Sequence, residues 1–285
     1  MLQSVGANLA AGRAADVYIL SDGLSPDLQA RVQDSVPANL TLHWRPAGPL
    51  DPGLPLWGRM SPTTYQKLLL ADWLPPDLPR VLWLDCDMLV LADAGELWDS
   101  PPSAPAIALA VTDERVPLVS SRFGVAAWRE LGLPEQAPHF NAGLLLVDLV
   151  AWRKLDVRSR SLDYLRRFRE QVYFWDQEAL NATLCGHWHP LPHRWNCHPS
   201  RVSPDISPAI LHFSGNLKPW LFAGRTPLRQ LYGQYLSRTA WAAEPLPRSW
   251  RNAVLERYED SRIRQSLLIP LEQAAMIARR YLSRA

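Results

Sequence analysis

The stretch Arg80-Val-Leu-Trp-Leu-Asp-Cys-Asp-Met-Leu-Val90 decides how the rest of the 285-residue chain is read. A mostly apolar run meets aspartates at 85 and 87 and the chain then turns apolar again, the pattern of a buried strand in a parallel sheet. Side chains two apart on an extended backbone leave the same face. Two carboxylates on one face repel each other and are costly to desolvate, so the pair is most useful where a divalent cation or a cationic partner sits between them. The carboxyl ends of strands are also where open α/β sheets hold ligands. Two solvated turn aspartates would explain the stretch by itself, and its surroundings must separate the two readings.

Upstream, Ser61-Pro62 opens a helix in which Tyr65, Leu69 and Trp73 share a face, and Pro75-Pro76 ends it. Residues 46–58, rich in proline and glycine, form a loop. Asp16–Leu20 and Thr41–Trp44 read as strands around a helix that Ser25 caps and Pro26 begins. Leu2, Val5 and Leu9 lie on one helical face, with Gly12 as its stop. Helix and strand alternating in this way imply parallel pairing with right-handed crossovers.

Downstream, Glu96–Trp98 belongs to a short helix and Ala106–Val111 is a strand. Residues 112–138 carry mixed charge and no period, as a variable loop covering a site does. His139–Asp148 joins an Asn-Ala-Gly turn to an apolar strand. Its small residues let a ligand approach the backbone, although the simple start of a strand explains them equally well. Ala151–Arg169 reads as one amphipathic helix. Asp176-Gln-Glu178 opens another that continues through Leu180 and Leu184, with acids where the macrodipole favours them. Ala209–Gly215 is a strand that carries His212, with Lys218 just beyond.

Composition narrows the classes. A net charge of +2 is too small to argue for a nucleic-acid partner. The only lysines are Lys67, Lys154 and Lys218. Three cysteines make no disulfide framework, which fits a reducing cytoplasm. Nowhere do about eighteen apolar residues follow one another, and no signal peptide precedes the first strand. A cytoplasmic protein is expected, free to lie peripherally on the inner face of a membrane. Residues 185–198 hold Cys185, His187, His189, His193, Cys197 and His198, a density that invites zinc, but their spacing fits none of the strong finger patterns.

Four blocks occur in a telling order: Thr63-Thr-Tyr-Gln-Lys-Leu-Leu69 leading into Val81–Asp87, then Phe140-Asn-Ala-Gly-Leu-Leu145, then Asp176-Gln-Glu-Ala-Leu-Asn181, then His212-Phe-Ser-Gly-Asn-Leu-Lys-Pro-Trp220. Together they resemble the family-8 retaining glycosyltransferases, a group that includes bacterial lipopolysaccharide galactosyl- and glucosyltransferases. The resemblance implies an α/β fold of the GT-A type, with a Rossmann-like nucleotide-sugar-binding mixed sheet flanked by helices, over residues 1–225, and a helical C-terminal tail over 226–285. It implies transfer of galactose or glucose from a UDP-sugar to a glycan or lipid-linked acceptor, with manganese as the usual metal and magnesium as the substitute.

The same resemblance assigns roles. Asp85, Asp87 and His212 would ligate the metal, a mixed oxygen and imidazole set that suits manganese better than calcium. Lys218 and the backbone amides near Gly215 would support the phosphates, and Lys67 would also touch the donor. Asn141, Ala142 and Gly143 would lie along the sugar, with Asp176 and Gln177 facing its hydroxyls or anomeric carbon. An amide is a feeble nucleophile, whereas retaining hydrolases place a carboxylate there. A front-face displacement is therefore the expected mechanism.

Two departures stand out. Relatives commonly carry arginine where this chain has Lys67, which keeps the charge but loses a bidentate grip. The family's first strand also has no counterpart, because Met1 falls inside what should be the helix after it. A chain that starts upstream, or weak donor binding, is expected from that. In the tail, Arg262, Arg264, Arg279, Arg280 and Arg284 among Leu267, Leu268, Ile277, Tyr281 and Leu282 give a basic amphipathic stretch, suited to packing on its own domain or to anionic lipid. Against the transferase reading stand a catalytically impaired sugar-nucleotide or glycan-binding relative and a zinc-stabilised interaction protein.

Overall fold

The computed structural model describes residues 1–56, 60–202, 207–215, 218–221 and 227–244. In chain order the elements are α1 (Leu2–Asn8), β1 (Ala15–Ser21), α2 (Pro26–Gln33), β2 (Leu40–Pro46), a 3₁₀ segment (Pro62–Leu69) running into α3 (Leu70–Trp73), β3 (Arg80–Leu84), β4 (Met88–Val90), α4 (Gly95–Trp98) and β5 (Ala108–Thr112). Then follow β6 (Phe140–Asp148), α5 (Leu149–Leu155), α6 (Val157–Arg167), α7 (Trp175–Leu184), β7 (Trp188–Pro190), β8 (Ile210–His212) and α8 (Pro227–Leu236).

The spine is β6. It pairs antiparallel with β3 on one side and β5 on the other, and β7 adds parallel beyond β5, giving a mixed sheet in the order β3-β6-β5-β7. Alternate side chains leave opposite faces. Leu145 and Val147 enter a large cluster with Leu149 and Trp152 of α5, Leu165 of α6 and Leu180 of α7, whereas Leu144 and Leu146 enter a second one with Met88 and Ile210. A strand covered on both faces reads as an unbroken apolar run, and β6 does.

The short strands β4 and β8 form a separate antiparallel pair with Met88 opposite His212. The strands β1 and β2 run parallel around α2, as their spacing in the sequence implies. Between β1 and β3 no ladder forms among the described residues, although Tyr18 and Trp83 pack against one cluster and Val17 and Leu82 against the other.

Several expectations are corrected. The strand β3, expected to be a buried parallel one, is antiparallel, half-buried and at the edge of the four-stranded sheet. Its ladder partner β6 arrives after a long excursion, and an apolar run of this length carries no signal of strand direction. The helix expected to reach Gly12 stops at Asn8, whose side-chain amide bonds the carbonyls of Ser4 and Val90 and the Tyr235 hydroxyl. The helix expected across 151–169 is two, because Asp156 takes the left-handed conformation at φ 54° and its carboxylate accepts from Ser159 N to cap α6. After Ser61 the chain forms mostly 3₁₀ turns before α3.

Leu228, Leu231 and Tyr235 of α8 pack on Leu89, Leu211 and Phe213, and the Arg31 guanidinium lies 4.5 Å from the Trp241 ring centroid. The basic amphipathic stretch 252–285 lies outside the described residues. No helix among the described residues is long and apolar enough to cross a membrane.

Candidate active site

Strand register builds the centre. Leu84 pairs with Leu144, which puts the Asp85 N–H on the Gly143 carbonyl at 2.9 Å. Asp85, Cys86 and Asp87 then form the turn from β3 to β4, and the β4–β8 ladder brings His212 beside them. Asp85, Asp87 and His212 each offer a ligand atom, all within 4.8 Å of one another. The extended i, i+2 geometry expected of the two aspartates is replaced by a turn, and both carboxylates face His212 Nε2.

Each aspartate is half committed. Asp85 Oδ1 accepts from Trp83 Nε1 at 2.8 Å and lies 3.3 Å from Lys67 Nζ, while Oδ2 faces His212 Nε2 at 4.0 Å. Asp87 Oδ2 pairs with Lys218 and Oδ1 sits 3.3 Å from His212 Nε2. Burial pushes the Asp87 carboxyl up, but the hydrogen bonds and charges of His212 and Lys218 outweigh it and hold the group at about 2. Two carboxylate oxygens and an imidazole nitrogen thus converge, a donor set that fits a divalent cation.

Gly143 is small because of this centre. A Cβ built there would lie 2.3 Å from His212 Cε1 and 2.8 Å from Nδ1, so the neighbour that approaches the backbone is the imidazole. Gly215 is a glycine for a different reason, its φ of +98°.

The second half of the site stands on α7. Trp175, at φ 42°, holds a left-handed conformation that non-glycine residues seldom adopt and turns the chain into the helix. Asp176 is buried, pairs with Lys67 Nζ at 3.0 Å and accepts from the Thr64 hydroxyl. Burial alone would lower the Lys67 ammonium, but Asp176 and Asp85 raise it to about 12, so it stays charged between them. Lys67, expected to touch the donor, is occupied in tying Asp85 to Asp176. Gln177 donates from Nε2 to Asp113 Oδ2 at 3.1 Å, and its Oε1 accepts from Ala142 N at 3.1 Å and Asn141 Nδ2 at 3.2 Å.

Of the residues expected in the site, Gly215 alone has no described contact with the others. Asp85, Asp87, His212 and Lys218 share one contact network, Asn141, Ala142 and Gln177 share another, and Gly143 touches both. The sequence reading missed Thr64, Asp113 and Asn196. Asp113 lay in a loop without a period, and Asn196 stood in the segment whose histidines and cysteines drew attention to zinc. Those histidines and cysteines do not assemble: among the described residues the only metal-capable group is Asp85, Asp87 and His212. His193 instead faces Glu114 at 3.5 Å, and His198 bonds Ser200.

A mixed sheet flanked by helices, with a carboxylate–imidazole centre at its β3–β4 turn, has the architecture of the GT-A glycosyltransferases. The chain belongs to glycosyl transferase family 8, whose model matches residues 54–224. It is similar to General stress protein A of Bacillus subtilis (strain 168), at 26% identity over 275 residues, covering 85% of this chain and 88% of that protein. It is also similar to the lipopolysaccharide 1,3-galactosyltransferase of Salmonella typhimurium (24% identity; 66% of this chain, 58% of that one). A third relative, the probable galacturonosyltransferase-like 3 of Arabidopsis thaliana, matches at 28% identity over 56% of this chain and about half of its own length, 51%. Among solved structures, an active-site mutant of LgtC superposes with a TM-score of 0.71 at 23% identity, covering 88% of this chain and 92% of that one.

Proposed function

We propose that the protein is a retaining hexosyltransferase that moves galactose or glucose from a UDP-sugar to a glycan acceptor such as lipopolysaccharide. Manganese, or magnesium in its place, would be held by Asp85, Asp87 and His212. The observation that carries the reading is the half-committed state of the two aspartates, each with one oxygen fixed by the protein and the other turned toward His212 Nε2. When bound, a divalent ion there supplies Lewis-acid neutralisation of the charge that builds on a departing diphosphate.

The chain's own residues do the rest. Lys218 has an ammonium within reach of Asp87, and it would turn from that carboxylate to a donor phosphate. Trp83 and Lys67 keep Asp85 from rotating out of the centre. Asn141 and Gln177 are braced by backbone N–H groups and present a fixed polar wall to the sugar, with Asp176 behind it.

A front-face displacement is supported by how the nearby acids are used. Asp176 is tied to Lys67 and Thr64, and Glu178 is buried under four donors, so neither is free to attack an anomeric carbon. The Gln177 carboxamide is engaged at both ends. The acceptor oxygen then attacks from the side on which the nucleotide leaves. The arginine-rich stretch 252–285 would meet anionic lipid and bring the protein to a lipid-linked acceptor, and liposome flotation of the full chain tests that part.

The test of the main reading is UDP release from a panel of UDP-sugars, with manganese and with chelator, followed by NMR of the product's anomeric proton. Metal-dependent release with retained configuration is expected. Inverted product, or a glycosyl adduct trapped on Asp176, Gln177 or Glu178, would contradict the mechanism. No release from any donor would favour a sugar-nucleotide-binding relative without transfer activity.

A further inference from the structure

We infer that Asn196 is a positioning residue that fixes the proton of His212 on Nδ1 and links the cation centre to the Gln177 wall. The inference rests on the metal reading above. It begins from two backbone N–H groups, which can only donate. Gly143 N donates to Asn141 Oδ1 at 3.0 Å and Ala142 N donates to Gln177 Oε1 at 3.1 Å. These two bonds fix which end of each amide is oxygen, an assignment that otherwise has to come from the wider network.

Every other orientation then follows. Gln177 Nε2 faces the Asp113 carboxylate and Asn141 Nδ2 faces Gln177 Oε1. Asn141 Oδ1 is left to accept a second bond from Asn196 Nδ2, at 2.9 Å. The other end of Asn196, its Oδ1, therefore points at His212 Nδ1, 2.8 Å away. An amide oxygen cannot donate, so Nδ1 must carry the proton. Nε2, which bonds Asp87 while it carries a proton, then offers its lone pair toward Asp85 and Asp87 once the ring is neutral, where a ligand nitrogen is needed.

Asn196 closes the 3₁₀ turn His193–Asn196, and the buried Trp195 pins that turn into the smaller core cluster. The result is one line of donors running from His212 through Asn196, Asn141 and Gln177 to Asp113. Asp113 of the loop 112–138 is thereby tied to His212 of the cation centre through three intervening side chains.

The test compares Asn196→Asp with Asn196→Leu. Asp keeps an acceptor for His212 Nδ1 and loses the donor to Asn141, whereas Leu loses both. The readouts are long-range ¹⁵N NMR of the His212 imidazole in metal-free protein, followed upward in pH until the ring is neutral, and manganese affinity by calorimetry. Wild type and Asn196→Asp should show the Nδ1–H tautomer and manganese affinities within about threefold of each other. Asn196→Leu should show mixed tautomers and bind manganese roughly 10–100-fold more weakly.

A purely structural role would weaken both variants in step with their loss of stability. Neutral-ring wild type with the proton on Nε2 and none on Nδ1 overturns the inference without any variant having to fold. So does Asn196→Leu with wild-type tautomer and affinity. Wild type with Nδ1–H that binds no manganese would sink the metal reading and leave the tautomer assignment standing.

Discussion

Glu178 and the Asp85–Asp87 pair are acids held in opposite ways. Both oxygens of the fully buried Glu178 are saturated: Oε1 accepts from Ala126 N and the Tyr164 hydroxyl, Oε2 from Tyr173 N and Phe174 N. These bonds staple the loop 112–138 and the turn before α7 to the helix. Asp85 and Asp87 are each held by one oxygen only, and the remaining oxygens crowd toward an imidazole nitrogen. A carboxylate whose acceptors are all used by its own chain serves the fold. One that keeps acceptors free, at the cost of repulsion, is placed for something else.

The largest effect that would break the comparison is on the functional side. Asp87→Ala removes a proposed cation ligand and a partner of Lys218 while leaving the buried clusters intact. Metal-dependent UDP release should fall on the order of a thousandfold, several kcal/mol of lost charge stabilisation, with an unchanged circular dichroism spectrum. Steady-state release assays check it, and release near the wild-type rate would place the chemistry elsewhere.

On the structural side, Glu178→Leu leaves four donors, two of them fully buried, without an acceptor. A loss of roughly 3 kcal/mol or more is expected, seen as a fall in Tm on the order of 10 °C. If Tm stayed at the wild-type value, Glu178 would not be the staple described.

His139 belongs with Glu178 rather than with the centre. Burial lowers its ring to about 4 against the raising effect of the Asp113 charge. An unfolded histidine titrates near 6.5, so as the pH falls the unfolded chain takes up the proton first. The contribution is whole above about pH 6.5 and is lost as the pH falls toward 4. Unfolding free energies from urea titrations at pH 7 and 4.5 should differ by an amount on the order of 2 kcal/mol that His139→Phe removes. An acid limb that the substitution leaves unaltered would argue against a neutral buried ring.

Gly143→Ala sharpens the boundary between the two regions. The added Cβ would collide with the His212 ring, so manganese affinity should drop at least about tenfold while Tm changes little. Calorimetry decides, and unchanged affinity would show that the ring yields without cost.

The alternation of strands and helices, the caps at Ser25 and Ser61 and the apolar run of β6 were all legible in the sequence, because each is a local pattern with a local cause. Asp85, Asp87 and His212 were legible as a set only through the four blocks taken together. Strand direction was not legible, since β3 meets a partner from beyond a long excursion and its own side chains are silent about orientation. The break at Asp156 was hidden because helical periodicity continues across it. Nor could spacing reveal the employment of Lys67 between two acids, or of Gly143 under an imidazole. Both depend on contacts between residues far apart in the chain.

The most direct measurement is calorimetric titration of UDP into the protein with manganese, with chelator, and with manganese on Asp87→Ala. Binding that appears with manganese, and is lost both with chelator and in the variant, is the predicted result. Equally tight UDP binding in all three would contradict a cation centre at Asp85, Asp87 and His212.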